Sequence, residues 1–250
     1  TGGYNVQMSA DVMQAQMKYD MMSAFSSMIP MELEKPTPVE DVAAYKPEKS
    51  WNYELGIRSE LIKDRLSTEL TAFLMDIQIT KFVNSGNGRV LANAGKARSY
   101  GVEASLRALL MTGLTADLNY GYTHATFRDY NNGKEDFKGN YVPYTPRHTV
   151  SLGLQYTKSL QGKWLDQVYA SAQLNGIGKI FWTEYNDIYQ DFYLTLNARA
   201  GVRKDKINLS VWTKNLTNTT YSAFYFESFG NPFIQLGKPL QVGVEVSLTL

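Results

Sequence analysis

From Leu240 to Leu250 every second residue is apolar: Leu240, Val242, Val244, Val246, Leu248 and Leu250, with Gln241, Gly243, Glu245, Ser247 and Thr249 between them. Successive side chains on a strand point to opposite faces, so this segment has one apolar side and one wet side. The rhythm recurs upstream. Phe192, Leu194, Leu196, Ala198, Ala200 and Val202 alternate with Tyr193, Thr195, Asn197, Arg199, Gly201 and Arg203. Tyr100, Val102, Ala104, Leu106 and Ala108 alternate with Gly101, Glu103, Ser105 and Arg107, and Trp51, Tyr53, Leu55 and Ile57 with Asn52, Glu54, Gly56 and Arg58. The pattern predicts strands near 51–61, 66–82, 98–110, 115–128, 148–157, 167–180, 192–203, 206–216 and 239–250.

A soluble sheet also alternates, so alternation alone leaves the core face open. Three features favour apolar stripes that face lipid. The predicted strands run ten to seventeen residues, longer than the roughly five or six of soluble sheets. Aromatic residues gather near strand ends, at Trp51, Tyr53, Tyr100, Tyr120, Tyr122, Tyr156, Trp164 and Phe192, as in an interfacial girdle. Short connections at 62–65, 111–114, 158–166 and 204–205 alternate with long ones at 83–97, 129–147, 181–191 and 217–238. A barrel crossing an outer membrane has this asymmetry, with tight periplasmic turns and long outer loops. The expected fold is all-β: nine or ten strands of an antiparallel transmembrane β-barrel. No run of 18 apolar residues exists, which excludes a spanning helix and leaves spanning strands open.

The first fifty residues read differently, as a long outer loop with a short helix, preceded by the end of a strand around Tyr4–Ser9. Asp11 is placed to cap a helix that runs to about Met28, and Pro30 stops it. The division is therefore 1–50 and 51–250.

Composition narrows the chemistry. Net charge is +1 and the basic residues are scattered, which gives nucleic acid no patch to bind. Cysteine is absent, so no thiol catalysis or Cys-ligated metal is available. The two histidines, His124 and His148, stand far apart, and no G-x-S-x-G segment or phosphate-cradling glycine loop occurs. No catalytic residue, metal site or cofactor is expected. On the wet face of the strands Glu54, Arg58, Glu103, Arg107, Arg199, Arg203 and Glu245 would line a lumen. Trp182, Tyr185, Tyr189, Tyr130, Tyr225 and Phe229 fall in the long loops and are candidates for holding a large, partly apolar ligand. The plainer reading is that these rings pack the loops against one another.

Four segments carry a resemblance: Pro47-Glu48-Lys49-Ser50-Trp51-Asn52-Tyr53-Glu54-Leu55-Gly56; Asn93-Ala94-Gly95 with Gly101 and Glu103; Thr145-Pro146-Arg147-His148; and Asn215-Leu216-Thr217-Asn218 with Tyr221. In this order they resemble the C-terminal half of a TonB-dependent outer-membrane receptor barrel. The resemblance implies a 22-stranded barrel closed by an N-terminal plug domain. It implies import of a scarce nutrient, driven by an inner-membrane energy-transducing protein acting on the plug. The chain is then expected to be the C-terminal portion, its partners the plug, the remaining strands and outer-membrane lipid, and its lumen-facing charges to meet the plug. The expected cargo is an iron–siderophore complex, otherwise a corrinoid or a glycan. A passive outer-membrane channel and an outer-membrane enzyme remain the alternatives.

Overall fold

The computed structural model describes residues 3–4, 16–23, 44–45, 47–84, 89–131, 135–160, 162–228 and 231–249. The helical residues are 16–23, inside the predicted helix. Asp11, Pro30, Asn5–Ser9, Phe229 and Leu250 lie outside the described residues. Two short strands, β1 (Gly3–Tyr4) and β2 (Ala44–Tyr45), pair antiparallel.

The remaining strands follow the predicted order closely. They are β3 (Lys49–Ile62), β4 (Leu66–Asn84), β5 (Arg89–Met111), β6 (Leu114–Tyr130), β7 (His148–Ser159) and β8 (Gln167–Ile177). Then come β9 (Ile180–Phe181), β10 (Tyr189–Gln190), β11 (Tyr193–Lys204), β12 (Ile207–Lys214), β13 (Ser222–Ser228), β14 (Asn231–Leu236) and β15 (Gln241–Leu248). Nine of them form one sheet in the order β15-β12-β11-β8-β7-β6-β5-β4-β3. Neighbours in sequence are neighbours in space, apart from the β9–β10 and β13–β14 hairpins that occupy connections. The chain divides into two compact units, Thr1–Asn52 with Met75–Ser99 and Thr126–Asn140, and Tyr53–Leu74 with Tyr100–Ala125 and Tyr141–Leu250.

Within the second unit the register fixes the two faces. Leu118 pairs Leu152, Leu152 pairs Leu174 and Leu174 pairs Leu196, which builds an unbroken aliphatic row across four strands. One position along, Asn119, Ser151, Asn175 and Thr195 form the matching polar row. Both faces are open on the outermost strands, and the aliphatic one is not packed into a core. Leu55 is 81% exposed, Val244 67% and Val246 69%. The buried apolar residues among those described are Ala97, Ala125, Phe127, Tyr130, Phe137, Trp182 and Tyr225, and no spanning strand's aliphatic stripe is among them. In water that exposure would cost about 25 cal/mol for every Å² of apolar surface left uncovered. In hydrocarbon it costs nothing, while the strand-to-strand ladder satisfies the backbone polar groups between its edges.

The tight turns use the left-handed backbone that short hairpins need: Asp64 has φ +56, Gly113 φ +81 and Asp205 φ +47. One expectation is corrected. Residues 83–97 are not a long loop, because β4 runs on to Asn84 and β5 starts at Arg89. The turn-type run Asn84-Ser85-Gly86-Asn87-Gly88 and Gly95 give this stretch the look of a loop. The expected loop at 217–238 likewise holds the β13–β14 hairpin.

The two faces respond differently to charge. Leu152→Arg, near the middle of β7, is expected to destabilise the full receptor by roughly 2–4 kcal/mol. Ser151→Arg, on the opposite face, is expected to change stability by less than about 1 kcal/mol. Urea unfolding in lipid vesicles measures both; equal costs would contradict the assignment of faces.

Candidate lumen wall and ligand-binding loops

The predicted lumen residues share the polar face, and several are already paired there. Arg58 Nε donates to Glu69 Oε2 at 3.0 Å. Arg107 lines the same cleft as Arg58 and Glu69, together with Asp117 and Asn119. Glu103 lines a neighbouring cleft with Ser105, Asn119, Ser151 and Asn175, where Ser105 Oγ donates to Asn119 Oδ1 at 2.9 Å. Arg199 Nη2 donates to Glu245 Oε2 at 3.0 Å, across the strand that separates them. Arg203 pairs with Gln167 and Asn208 near the turn end of β11, and Glu54 lies on β3 in register with Arg58. Each ion pair is more than a third exposed and contributes little to stability by itself. What the wall offers is a hydrogen-bonding surface of both signs.

The loops sort the aromatic candidates by burial. Tyr130 is 4% exposed and packs between Phe127 (4.7 Å between ring centroids) and Phe137 (5.3 Å). Trp182 is buried against Tyr144 at 5.6 Å, and its backbone N–H donates to Ile188 O at 2.8 Å, closing the loop it sits in. The Tyr225 ring is buried too. Its hydroxyl donates to Glu227 Oε1 at 2.6 Å, and that carboxylate, with burial second, pushes the phenol up to about 12. These three rings hold the loops in shape. Tyr185 and Tyr189 are exposed. Tyr189 stands edge-on to Phe181 at 6.0 Å, with Lys179 Nζ 3.7 Å above its ring. Hydrogen bonds from Thr183 and from the backbone of Ile188 hold the Asp187 carboxyl below the usual carboxylate range. Asn186 fastens this loop to its neighbour, accepting from Tyr141 N at 2.6 Å and donating to Tyr141 O at 3.0 Å.

A feature that sequence reading did not single out is a ladder of exposed rings. Tyr144 stacks on Phe224 at 5.6 Å, Phe224 meets Phe226 at 5.8 Å, and Phe226 stacks on Phe233 at 5.0 Å. All four are more than 40% exposed. The signal lay in the Phe224-x-Phe226 spacing on a hairpin, which aligns rings on one face. The histidines do not meet. His124 lies against Tyr100 (4.9 Å) and Tyr141 (5.3 Å), while His148 Nδ1 is 2.8 Å from the Tyr120 hydroxyl. Among the described residues no cluster of His, Asp and Glu is placed to hold a metal ion.

The recurring motifs prove to be loop mounts. A Cβ added at Gly101 would sit 1.9 Å from Tyr122 O and strike the Phe73 ring, so only glycine permits that approach. Asn215 is 5% exposed with φ +49. Its Nδ2 donates to Thr219 O at 2.9 Å and Lys238 O at 3.0 Å, and its Oδ1 accepts from Thr219 N at 3.0 Å. Asn218, with φ +50, accepts from Leu240 N at 3.0 Å. Two asparagines thereby tie both ends of the loop that carries β13 and β14 to the top of the sheet.

Residues 19–216 match the family model described as TonB dependent receptor-like, beta-barrel. The pesticin receptor of Yersinia pestis is 26% identical over 219 residues, 85% of this chain and 31% of that protein. The metal-pseudopaline receptor CntO of Pseudomonas aeruginosa is 24% identical over 227 residues, 86% of this chain and 30% of that protein. Among solved structures, the ferric yersiniabactin uptake receptor FyuA from Yersinia pestis superposes with a TM-score of 0.69 at 24% identity, covering 88% of this chain and 32% of that one. The ferric preacinetobactin receptor BauA from Acinetobacter baumannii gives a TM-score of 0.64 at 19% identity, covering 82% of this chain and 30% of that one. The chain thus spans about a third of the length of the curated relatives it matches.

Removing the Asn215 side chain tests the loop mount. Asn215→Ala orphans buried backbone groups and is expected to cost about 1–3 kcal/mol. Hydrogen exchange should quicken at the Thr219 amide and through β13 and β14 while β7 and β8 stay protected. Unchanged exchange in the hairpin would contradict the role.

Proposed function

The chain belongs to the TonB-dependent receptor-like β-barrel family, and on that premise we propose that it forms wall and mouth of a receptor for energy-coupled uptake of a scarce nutrient, an iron–siderophore complex first of all. It lies in the outer membrane of a Gram-negative bacterium, as a partial barrel. The observation that supports a chelate cargo is the exposed ring ladder of Tyr144, Phe224, Phe226 and Phe233, mounted on loops that Asn215 and Asn186 hold still. Pre-ordered aromatic surface captures a large, partly apolar molecule without a further ordering cost. Tyr185 and Tyr189 extend that surface. Tyr130, Trp182 and Tyr225 act beneath it as packing. Two of the relatives have names that tie them to metal–chelate capture.

In this reading the charged wall of Arg58, Glu103, Arg107, Arg199 and Glu245 receives a plug domain supplied by the rest of the receptor, with Glu54 and Arg203 completing it. An inner-membrane energy transducer pulls on that plug, and this segment performs no covalent chemistry. Corrinoid or glycan cargo requires the same wall with a different mouth. A passive channel or an outer-membrane enzyme requires a lumen or a turnover that this wall does not call for.

A strain lacking the gene, complemented with the full receptor, decides between these. Uptake of labelled ferric siderophores under iron limitation is expected to return with the wild-type gene and to stop when the energy source is removed. Phe224→Ala with Phe226→Ala is expected to weaken ligand binding about tenfold or more, in line with about 1 kcal/mol for each lost ring contact. Uptake that persists without an energy source would favour the channel. Rescue only on corrinoid or glycan would move the cargo.

A further inference from the structure

Within the second unit the polar face of the sheet is not uniform. On β7 it reads Thr149, Ser151, Gly153, Gln155, Thr157 and Ser159. On β8 it reads Ile177, Asn175, Gln173, Ser171, Tyr169 and Gln167, each opposite its β7 partner in that order. No charged residue occupies this face of either strand. Charge returns on both sides, with Asp117 on β6, Glu103 and Arg107 on β5, Arg199 and Arg203 on β11 and Glu245 on β15. β7 has 12 residues. At about 3.4 Å per residue and a tilt of about 40° it covers about 30 Å of height, more than the apolar band of about 25 Å that an outer-membrane barrel presents.

Side-chain size follows the same division. Serine, threonine and glycine make up most of the β7 face, while arginine, glutamate and Trp212 stand on the flanking strands. Tyr169, the aromatic ring of the uncharged pair, lies sideways over Gly201, where a Cβ would strike it, and its hydroxyl donates to Asn208 Oδ1 on β12 at 2.9 Å. Asp117 leans in from β6 over Gly153 and shares a cleft with Arg107 on its other side. Gln173 Nε2 donates to Ser151 Oγ at 3.2 Å, so the polar groups of the pair satisfy one another along the wall. Thr149, Ser151 and Asn175 line a cleft of about 400 Å³, and Ser171 and Gln173 line one of about 490 Å³. A low, neutral groove thus runs between two charged banks.

We propose that this groove is the path by which cargo descends: the charged banks hold the plug, the plug parts from the wall along β7 and β8, and the hydrated chelate slides over their amides and hydroxyls. The proposal rests on the receptor reading, in which the polar face looks into the lumen. Charges across an interface fix register, because misplaced like charges repel. An amide or hydroxyl trades a protein partner for water at a net of only about 1 kcal/mol, so the plug loses little by separating there. The same weakness suits transit, since a conducting surface must hold its cargo loosely enough to release it. A neutral floor also accepts chelates of either sign.

The test uses the full receptor in a strain lacking its own copy and reads two quantities separately, surface binding without an energy source and energised uptake. The probes are radio-iron complexes of catecholate, hydroxamate and citrate type. Ser151→Trp fills the groove; it is expected to bind cargo as the wild type does and to take it up about tenfold more slowly or worse. Leu154→Trp puts the same ring on the opposite face of β7, and its uptake is expected to match the wild type. Gln173→Glu adds charge without bulk. It is expected to slow an anionic chelate about fivefold relative to a neutral one, the factor given by about 1 kcal/mol between unit charges about 4 Å apart in water. A merely structural role for Gln173 would slow both alike and would count against the proposal. If Ser151→Trp lacks the heat-modifiable mobility of a folded barrel, Ser171→Trp on β8 decides, with the same expectation. Binding lost in step with uptake, or equal slowing by Leu154→Trp, would overturn the proposal. Wild-type uptake in the groove variants, with or without a new leak of a large antibiotic, would give the groove to the plug and overturn it too. These results leave the receptor reading standing, whereas a wild type that takes up none of the chelates overturns that reading and the proposal with it.

Discussion

The bilayer does not hydrogen-bond to protein, and the rest of this chain follows from that constraint. Every N–H and C=O that crosses must find a partner in a neighbouring strand. Strands must then be long, their connections must alternate between tight and generous, and their outward side chains must be apolar. The Leu118–Leu152–Leu174–Leu196 row and its polar neighbours Asn119, Ser151, Asn175 and Thr195 are the two consequences read on opposite faces. No compact apolar core is needed, and the described residues hold only a small buried set.

Because the strands are this constrained, they were legible in the sequence. The middle strands begin and end within about three residues of where alternation places them, as β7 and β11 illustrate. Legibility failed where the constraint lapses. β4 runs on to Asn84 and β5 starts at Arg89, yet the Asn-Ser-Gly-Asn-Gly run between them makes residues 83–97 look like a loop. The β13–β14 hairpin likewise falls inside a stretch that reads as loop. The four motifs were visible as resemblance, but their physical content was not. Asn215 matters because of what it bonds at Thr219 and Lys238, and Lys238 is distant in sequence.

The mouth shows the same limit. Sequence placed aromatic residues in the loops and could not rank them, because a ring that builds a loop and a ring that meets a ligand have the same letter. Burial ranks them: Tyr130, Trp182 and Tyr225 lie inside, while Tyr185, Tyr189 and the Tyr144–Phe224–Phe226–Phe233 ladder face out. The charged residues of the polar face were easier, since parity along a strand assigns a face. Parity could not foresee that Arg199 would reach over a strand to Glu245. The uncharged groove needed both kinds of information, residue order along each strand and register between strands.

The segment contains no cysteine, so single cysteines can be introduced along β11 and β15 and labelled with a fluorophore in the full receptor, reconstituted in vesicles. Lipid-borne bromine should quench labels at Leu194, Leu196, Val244 and Val246, and aqueous iodide should leave them bright. Labels at Thr195, Asn197 and Glu245 should respond the other way. Aliphatic-face labels shielded from both quenchers, with polar-face labels open to bulk water, would mean a closed soluble interior and would contradict the membrane assignment on which the rest stands.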